Sequence, residues 1–462
     1  MEMIRLEELA GLRVTVMGLG LNGGGVASAR FLAERGAHVT VTDTKDEDAL
    51  SESVASLAGL NIRFVLGCHD EADFREADLV IKNPAVRPDN AYLQLARKVE
   101  TDLSIFLALC PARIVAVTGS KGKSTTATAI AWMLNAAGIK AFLGGNITVS
   151  PLSFLDTALP GDIVVLELSS WQLGDLRDSR VLKPFVAVLT RIVPDHLDRY
   201  GTMESYVADK RLIYANQDEA CWTICDADDP YGLSFASETR ARVLSYGSSL
   251  ITGSFGVFIP PDGGPCTASL PGRNSRVQIV PQNLAVPGAH TRRNLAAASL
   301  AAWACGAEPA MIARAAASFT GVEHRLEPIR ENKGVTWYND SAATVPEAVV
   351  AAIEAFDKPV VLITGGTDKK LDFEVARKAY GKVAEIILLA GTGTEKIRTI
   401  LEDSGISYHG PYDSLPPAVQ EASKIAKRGY VVVLSPGCTS FGMFKNEFDR
   451  GRSFKAAVAN LP

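Results

Sequence analysis

A glycine-rich turn between a predicted strand and a predicted helix constrains this chain more than any other stretch. Residues 112–130 read ARIVAVTGSKGKSTTATAI, where β-branched residues run into glycine and then into Gly-Lys-Ser-Thr. A buried strand followed by a glycine loop and a helix is the repeating unit of a parallel α/β sheet. Backbone N–H groups of the loop and the helix N-terminus would point at an anion. The stretch therefore predicts an α/β fold with a phosphate-binding loop.

The loop is shorter than the standard P-loop, in which a glycine stands five positions before Gly-Lys-Ser. Val117 occupies that position, and the earlier glycine of the loop is Gly119. The pattern predicts that Lys123 neutralises charge on the β- and γ-phosphates and that Ser124 reaches Mg²⁺. The alternative is a Gly/Ser turn that only caps a helix. The hydroxyl residues that follow Gly-Lys, directly behind a buried strand, argue against it.

The bulk properties bound the possible functions. At 462 residues the chain is too long for one core, so two or three domains are expected. The net charge of −5 argues against a general nucleic-acid or membrane-surface binder. No apolar run reaches membrane-spanning length, and MEMIRLEEL at the N-terminus does not resemble a secretory signal. Seven scattered cysteines do not form a disulfide framework, so we expect a cytoplasmic protein.

Three successive series of strand and helix patterns run along the chain. The predicted strands are 13–17, 38–43, 112–119, 162–170, 186–192, 335–341, 360–366, 385–391 and 430–437. Ser, Gly and Pro dominate 236–285, which predicts small antiparallel strands, and 291–306 is an alanine-rich helix. We therefore predict three α/β domains. They are an N-terminal Rossmann-like domain (1–105), a central P-loop ATPase-like parallel sheet with a small antiparallel addition (106–322), and a C-terminal Rossmann-like domain (323–462).

Polar residues at predicted strand ends are candidates for a metal site. Glu167 ends the apolar run IVVLE, where a Walker-B acid would lie, although it could instead cap the next helix at 169–170. His196 stands within DHLDRY after another predicted strand, and α/β sites gather at such strand ends. Lys210 falls in a predicted amphipathic helix, YVADKRLIY, and spacing alone predicts a solvated lysine.

The N-terminal turn GLGLNG supports a competing hypothesis. It fits Gly-x-Gly-x-x-Gly with Gly18, Gly20 and Gly23, and Asp43 ends the next predicted strand. Taken alone, this pattern predicts a dinucleotide and hence a nicotinamide-dependent oxidoreductase. That hypothesis leaves the phosphate loop, Glu167 and DHLDRY without a role. A non-catalytic nucleotide-binding protein is a third hypothesis.

Seven stretches, in this order along the chain, resemble the Mur ligase family. They are TGSKGKST, ELSSWQL, DHLDRY, ADKRLIY, EHRLE, YNDSAAT and LSPGCTSFGMFKNEFDRG. The resemblance implies an ATP-dependent ligase that adds D-glutamate to UDP-N-acetylmuramoyl-L-alanine through an acyl phosphate, in peptidoglycan precursor synthesis. It also implies a monomer whose partners are these small molecules and ATP, with neither nucleic acid nor membrane. A family member that adds another amino acid is the nearest alternative.

The resemblance assigns the site residues in three groups. It implies that ATP contacts Gly119, Ser120, Lys121, Gly122, Lys123, Ser124, Thr125, Asn294, Arg325 and Asp340. It implies Mg²⁺ ligands at Ser124, Glu167, His196 and Lys210, with Lys210 carbamylated by CO₂, and catalytic roles for Lys123, His196 and Lys210. The UDP-sugar would contact Leu21, Asn22, Asp43, Thr44, Lys45 and Asn146, and D-glutamate would contact Thr344, Lys369, Ser440 and Phe448.

The chain departs from the family pattern at three positions. Ala342 stands where a lysine is common, so a positive charge is missing or comes from elsewhere, for example from Lys370. Thr291 replaces an asparagine near the nucleotide. The order of aromatic and acidic residues around Phe448 is exchanged relative to some members. These departures concern amino-acid and nucleotide contacts rather than the reaction class.

Overall fold

The computed structural model describes residues 6–20, 23–147, 149–369 and 371–462. Within these ranges the chain forms three sheets, each covered by helices. Its contacts divide it into two units, one of residues 1–282 and 293–316 and the other of residues 283–292 and 317–462. The prediction of an α/β fold built from three sheets is confirmed. The predicted domain boundaries stay predictions.

The first sheet is parallel, with strand order β3-β2-β1-β4-β5 in the described chain. Its strands are β1 (Arg13–Met17), β2 (His38–Asp43), β3 (Ile62–Leu66), β4 (Leu79–Lys82) and β5 (Val99–Glu100). Its helices are α1 (Gly24–Ala33), α2 (Glu47–Ala55), α3 (Glu71–Arg75) and α4 (Asp102–Leu109). Short 3-10 helices cover Leu6–Glu8 and Leu93–Leu95. The strand order reverses at β1, and a crevice for a ligand is expected at that point.

The second sheet contains the predicted phosphate loop, and its described strands follow the order β14-β13-β12-β11-β10-β9-β6-β8-β7. The strands are β6 (Arg113–Thr118), β7 (Ala141–Gly145), β8 (Ile163–Glu167), β9 (Val186–Leu189), β10 (Trp222–Asp226), β11 (Arg242–Gly247), β12 (Phe255–Phe258), β13 (Cys266–Ser269) and β14 (Val277–Val280). The helices are α5 (Lys123–Ala136), α6 (Ser170–Asp175), α7 (Leu197–Tyr200), α8 (Met203–Arg211), α9 (Pro230–Glu238), α10 (Ala289–Ala304) and α11 (Pro309–Ser318), with a 3-10 helix at Pro151–Thr157.

The pairing of this sheet confirms the predicted antiparallel addition. The strand β13 is antiparallel to β12 and to β14, whereas the other described pairs are parallel. The prediction was too broad at its N-terminal side, because β11 lies within 236–285 and pairs in parallel with both neighbours. Every residue of β8 is buried, so the sheet holds Glu167 inside the protein at the carboxyl end of that strand.

The third sheet follows the order β15-β16-β20-β17-β18-β19 in the described residues, with β15 antiparallel to β16 and the other pairs parallel. Its strands are β15 (Glu327–Asn332), β16 (Val335–Asn339), β17 (Val360–Thr364), β18 (Glu385–Leu389), β19 (His409–Tyr412) and β20 (Val431–Leu434). Its helices are α12 (Pro346–Glu354), α13 (Arg377–Tyr380), α14 (Thr392–Asp403), α15 (Leu415–Ile425) and α16 (Glu447–Ala459), with a 3-10 helix at Glu374–Ala376.

A buried ion pair connects the first sheet with the second. Lys82 Nζ, at the end of β4, lies 2.7 Å from Asp175 Oδ2 at the end of α6. The two side chains are only 4% and 5% exposed. Lys82 Nζ also donates to the Val86 carbonyl at 3.1 Å. One lysine therefore fixes the loop after β4 and joins it to a helix of the central sheet.

Among the helices of the described residues, none has both the length and the apolar character needed to cross a bilayer.

Candidate active site

Two glycines set the path of the phosphate loop. Gly119 has φ of 150°, and a Cβ there would lie 1.9 Å from Thr190 Oγ1. Gly122 has φ of 92° and precedes α5, and a Cβ there would lie 2.4 Å from Asn294 Oδ1. Both positions therefore require glycine, on steric and on conformational grounds. The second contact brings Asn294, predicted to bind ATP, against the start of the loop helix.

Ser120 fixes the loop to the segment that follows β9. Its hydroxyl donates to the Val193 carbonyl at 2.8 Å and accepts from the Val193 N–H at 3.0 Å. The same hydroxyl lies 3.0 Å from the Tyr206 hydroxyl, and the Ser120 N–H donates to the Arg191 carbonyl at 2.9 Å. Ser120 was predicted to contact ATP, but its polar groups already bond within the protein.

Lys123 and Lys210 direct their amines to the same oxygen. Lys210 Nζ donates to the Gly119 carbonyl at 2.8 Å, and Lys123 Nζ donates to the carbonyls of Gly119 and Ser120, both at 3.1 Å. Lys210 is 1% exposed, so the prediction of a solvated lysine from helix spacing is wrong. It faces inward from α8 together with Tyr206, one turn earlier, and its amine lies 4.5 Å from the centre of the Tyr206 ring.

Burial lowers the pKa of the Lys210 amine. Loss of water around the amine, and next the positive charge of Lys123, lower the pKa of Lys210 well below its usual value. Asp195, Asp209 and Glu167 act in the opposite direction. The Lys210 side chain is therefore biased toward the neutral amine.

Glu167 offers a free carboxylate oxygen inside the protein. The residue is 2% exposed, and its Oε1 accepts from Asn146 Nδ2 at 3.2 Å. Its Oε2 is buried and has no hydrogen-bond partner in the described part of the chain. Such an oxygen is costly to bury alone and fits a bound cation. The capping role is not observed, because Ser169 caps α6 and forms a capping box with Gln172.

His196 lies at the edge of this group in an uncommon backbone conformation. It precedes α7 with φ of 53°, and its side chain is 47% exposed. The ring centroid lies 5.1 Å from that of Trp171 and 6.5 Å from that of Tyr206. Lys121, the exposed lysine of the loop, lies 3.5 Å from Asp195. Ser124 and Thr125, in the first turn of α5, are partly exposed.

The first sheet places the predicted UDP contacts at the carboxyl ends of β1 and β2. Asp43 Oδ2 accepts from the Gly20 N–H at 3.1 Å, and Oδ1 accepts from the Lys45 N–H at 3.0 Å. Thr44 and Lys45 are exposed beside it. A Cβ on Gly18 would lie 2.9 Å from Asn83 Cβ, so the glycine turn packs closely on the loop after β4. Leu21 and Asn22 lie outside the described residues.

The second unit contains the remaining predicted contacts. Asp340 follows β16 and accepts from Ser435 Oγ at 2.9 Å and from the Leu326 N–H at 3.1 Å. Burial raises the pKa of Asp340 to about 7. Arg325 and Lys369 are exposed, and Thr344 is partly exposed. Ser440 is 4% exposed, and the partly buried Phe448 ring lies 5.8 Å from the His324 ring. Lys370, the suggested source of a compensating charge, lies outside the described residues.

Sequence reasoning missed the polar residues that support these loops. Tyr206 was not singled out, yet its hydroxyl contacts the phosphate loop. Arg450 was not singled out either, although it is 1% exposed and bonds to two of the loops in the second unit. The available signal is the pattern FDRGRSF, in which this arginine falls on the inward face of a predicted helix.

A carboxylate–imidazole group in the second unit already contacts neighbouring side chains. Glu323, His324 and Glu327 approach one another within 4.8 Å. Lys455 Nζ lies 3.0 Å from Glu323 and 2.7 Å from Glu327, so both carboxylates already pair with one cation. Asn339 Nδ2 lies 2.7 Å from the buried His324 Nδ1. These contacts describe a structural network.

Comparison with known families and solved structures shows which proteins this chain is similar to. The Mur ligase MurD-like N-terminal domain matches residues 12–104, the Mur ligase middle domain matches 117–302, and the Mur ligase glutamate ligase domain matches 324–438. Among solved structures, a UDP-N-acetylmuramate-alanine ligase from Thermotoga maritima aligns with a TM-score of 0.59 at 20% identity, over 97% of this chain and 99% of its own. MurF ligase from the same organism aligns with a TM-score of 0.59 at 17% identity, over 99% of both chains.

Relatives of greater sequence similarity span nearly the whole chain. A Roseiflexus protein named UDP-N-acetylmuramoylalanine--D-glutamate ligase is 43% identical, over 98% of this chain and all of its own. A Treponema pallidum protein of the same name is 40% identical, over 97% of this chain and 98% of its own. The matches cover the phosphate loop, the strand that carries Glu167 and the helix that carries Lys210, and they show that the chain belongs to the Mur ligase family.

Proposed function

We propose that this chain is an ATP-dependent ligase that adds D-glutamate to UDP-N-acetylmuramoyl-L-alanine in peptidoglycan precursor synthesis. The observation that carries the proposal is the convergence of the Lys123 and Lys210 amines on the Gly119 carbonyl of the phosphate loop. The names of the full-length relatives support the choice of UDP-sugar and amino acid. No observation favours hydride transfer or a different amino acid.

The reaction needs positioning and charge neutralisation rather than a protein nucleophile. The alanine carboxylate of the UDP-sugar attacks the γ-phosphorus of ATP and releases ADP, which gives an acyl phosphate. The amine of D-glutamate then attacks the acyl carbon, loses a proton and expels phosphate. Lys123 is the residue we assign to the β- and γ-phosphate charge, because its amine already rests on the loop carbonyls. Bringing three substrates together supplies much of the rate enhancement.

Four residues would hold Mg²⁺, namely Ser124, Glu167, His196 and Lys210. The unpartnered Oε2 of Glu167 supports this assignment, because a buried carboxylate oxygen needs a positive partner. Bound Mg²⁺ would offset the negative charge that the phosphates and the carboxylate bring together.

Lys210 fits this set only after modification, because a cationic lysine offers no oxygen ligand and Mg²⁺ prefers oxygen. A neutral amine can add to CO₂ and release a proton, which yields a carbamate with two oxygens. Burial and Lys123 favour the neutral amine by lowering the pKa of Lys210. We therefore propose that Lys210 is carbamylated.

The other predicted contacts complete the proposal. ATP would also lie against Asn294, next to Gly122, and against Arg325 and Asp340. The UDP group would bind at the carboxyl ends of β1 and β2, where Thr44 and Lys45 are exposed. The remaining assignments are Leu21, Asn22, Asp43 and Asn146 for the UDP-sugar, and Thr344, Lys369, Ser440 and Phe448 for D-glutamate. We infer a monomeric enzyme of the cytoplasm, where ATP and the UDP-sugar are present together.

A phosphate-release assay tests the proposal. Purified protein with ATP, Mg²⁺ and UDP-N-acetylmuramoyl-L-alanine is given D-glutamate, L-glutamate, L-lysine, meso-diaminopimelate or L-alanine. Release that requires both the UDP-sugar and D-glutamate is expected. Lys123→Met should abolish it, whereas the control Lys183→Met, at an exposed lysine outside the loop, should retain most of it. Release with another amino acid would overturn the D-glutamate assignment, and no release from folded protein would overturn the ligase.

A further inference from the structure

Arg450 is a buried arginine that connects two loops of the second unit. Its side chain lies in α16 and is 1% exposed. Nε donates to Ser341 Oγ at 3.0 Å, and Nη2 donates to the Ser341 carbonyl at 2.8 Å. Nη1 donates to the Cys438 carbonyl at 3.1 Å. A Cβ on Gly366 would lie 3.8 Å from Nη1, so the guanidinium also lies beside the loop that leads to Lys369.

The acceptors of Arg450 are neutral, and its charge has no acidic partner. Within the described residues, no carboxylate lies within 4.0 Å of the guanidinium. Glu447 and Asp340 are the acids that act on it from a greater distance. Asp340 is a weak counter-charge near neutral pH, since burial raises its pKa to about 7. Burial of an unpaired charge is costly, and here it lowers the pKa of Arg450 to about 10.

The position of this charge indicates where its partner would come from. Ser341 leads directly into Ala342 and Thr344, and Cys438 leads directly into Thr439 and Ser440. Thr344 and Ser440 are predicted contacts of the amino-acid substrate. Thr439 Oγ1 is buried and has no partner in the described part of the chain, so the loop after Cys438 contains an unsatisfied polar atom. Ala342 itself contributes no charge.

We propose that Arg450 is a specificity-determining residue whose positive charge is balanced by the carboxylates of the incoming amino acid, so that the site selects a dicarboxylate. This inference rests on the proposed function, and it assigns to Arg450 the positive charge that balances the carboxylates of D-glutamate. Arg450 acts across the loops rather than by contact. An anionic substrate would relieve the unpaired charge of the guanidinium, and a neutral amino acid would not.

The test compares Michaelis constants for three substrates. Arg450→Gln removes the charge, and we expect the KM for D-glutamate to rise at least tenfold while the KM for ATP and for the UDP-sugar change less than twofold. Arg450→Lys keeps the charge and should raise the KM for D-glutamate about threefold. Adding Ala342→Lys to Arg450→Gln places a cation on the neighbouring position and should recover most of the lost affinity. A purely structural arginine would not be rescued in this way.

Folding and the choice of cation need separate controls. Because Arg450→Gln could impair folding, Arg450→citrulline is the second variant, which removes the charge, keeps the length and planar shape of the side chain, and gives up one of the two Nη donors. The junction Gly437–Cys438 allows native chemical ligation of a synthetic 438–462 peptide to residues 1–437. The citrulline enzyme should show the same rise in the KM for D-glutamate. Lys370→Ala tests the other candidate cation and should leave that KM within twofold.

Several outcomes would overturn the inference. They are an unchanged KM for D-glutamate in the citrulline enzyme, an equal rise for all three substrates, and a tenfold rise in Lys370→Ala instead. The wild-type enzyme is assayed first. Absence of D-glutamate-dependent release there defeats the proposed function, whereas an active wild type with insensitive variants defeats only the role of Arg450.

Discussion

Removal of one member of the buried pair Lys82–Asp175 should destabilise the first unit strongly, whereas removal of both should not. The two side chains are 4% and 5% exposed and lie 2.7 Å apart. Lys82→Met leaves the Asp175 carboxylate buried without its partner, and such a loss costs about 3–5 kcal/mol. The hydrogen bond from Lys82 to the Val86 carbonyl adds about 1 kcal/mol. Lys82→Met/Asp175→Leu removes both charges and should lie within about 1 kcal/mol of the wild type.

The loss in Lys82→Met should depend on pH. Burial already raises the pKa of Asp175 while Lys82 is present, and Lys82 lowers it. Without Lys82 that pKa rises further, so the folded variant binds a proton that the unfolded chain releases. The variant therefore loses stability as pH rises from the usual aspartate pKa toward neutrality, and its deficit should be smaller at pH 5 than at pH 8.

Urea unfolding followed by tryptophan fluorescence can measure these differences, since Trp171 lies in the same helix as Asp175. The matched control is Lys183→Met, which breaks an exposed pair with Asp218 at 2.5 Å. Its side chains are each 52% exposed, so no measurable change is expected. A double variant as unstable as Lys82→Met would refute the argument, because the cost would then not come from the buried charge.

Three further predictions concern the site. Gly122→Ala forces a Cβ into Asn294 Oδ1 and strains a backbone at φ of 92°, so ATP affinity measured by calorimetry should fall at least tenfold; near-normal affinity would contradict this contact. Glu167→Gln should raise the Mg²⁺ concentration needed for half-maximal activity at least tenfold. It should leave the metal-free Tm unchanged or higher, because it removes negative charge from a buried oxygen that has no hydrogen-bond partner in the described part of the chain. A lower metal-free Tm would count against the unpaired oxygen. In the wild type, burial raises the pKa of Asp340 to about 7, so the stability of the second unit should decrease from about pH 4 to pH 7 and level off above it. Asp340→Asn should flatten this slope when Tm is measured against pH. An unchanged slope would exclude Asp340 as its source.

The sequence was most informative where hydrophobic periodicity and glycine occur together. The strands at 13–17, 38–43 and 360–364 and the turn at Gly119–Gly122 follow from patterns that depend on near neighbours in the chain. Glu167 could be placed at a strand end for the same reason. The strand β15 was missed because EPIREN is polar, and its antiparallel pairing with β16 comes from a long-range contact.

Charges inside the protein were the least predictable part of the site. Helix spacing alone predicted an exposed Lys210, and the inward orientation of α8 places it against Gly119 from a distance of 91 positions in the chain. The burial of Lys210 overturns that prediction, and in the sequence only the resemblance to the family had singled this lysine out. Arg450 poses the same difficulty, because Ser341, which accepts two of its hydrogen bonds, lies 109 positions away in the chain. A charged residue is assigned to solvent by its chemistry until the packing of other elements is known.

The bonds of Ser120 have a consequence for how fast a nucleotide can bind. The loop around Ser120 is held by Val193 and Arg191 and lies against the Tyr206 hydroxyl, and all of these partners belong to the protein itself. Its conformational entropy is therefore lost when the protein folds and not when a phosphate arrives. Because the backbone of this loop is already ordered, the free energy of nucleotide binding does not include the cost of ordering it. Association should then be limited by encounter and by rearrangement of the Lys123 side chain, which exchanges the carbonyl oxygens of Gly119 and Ser120 for those of the phosphates.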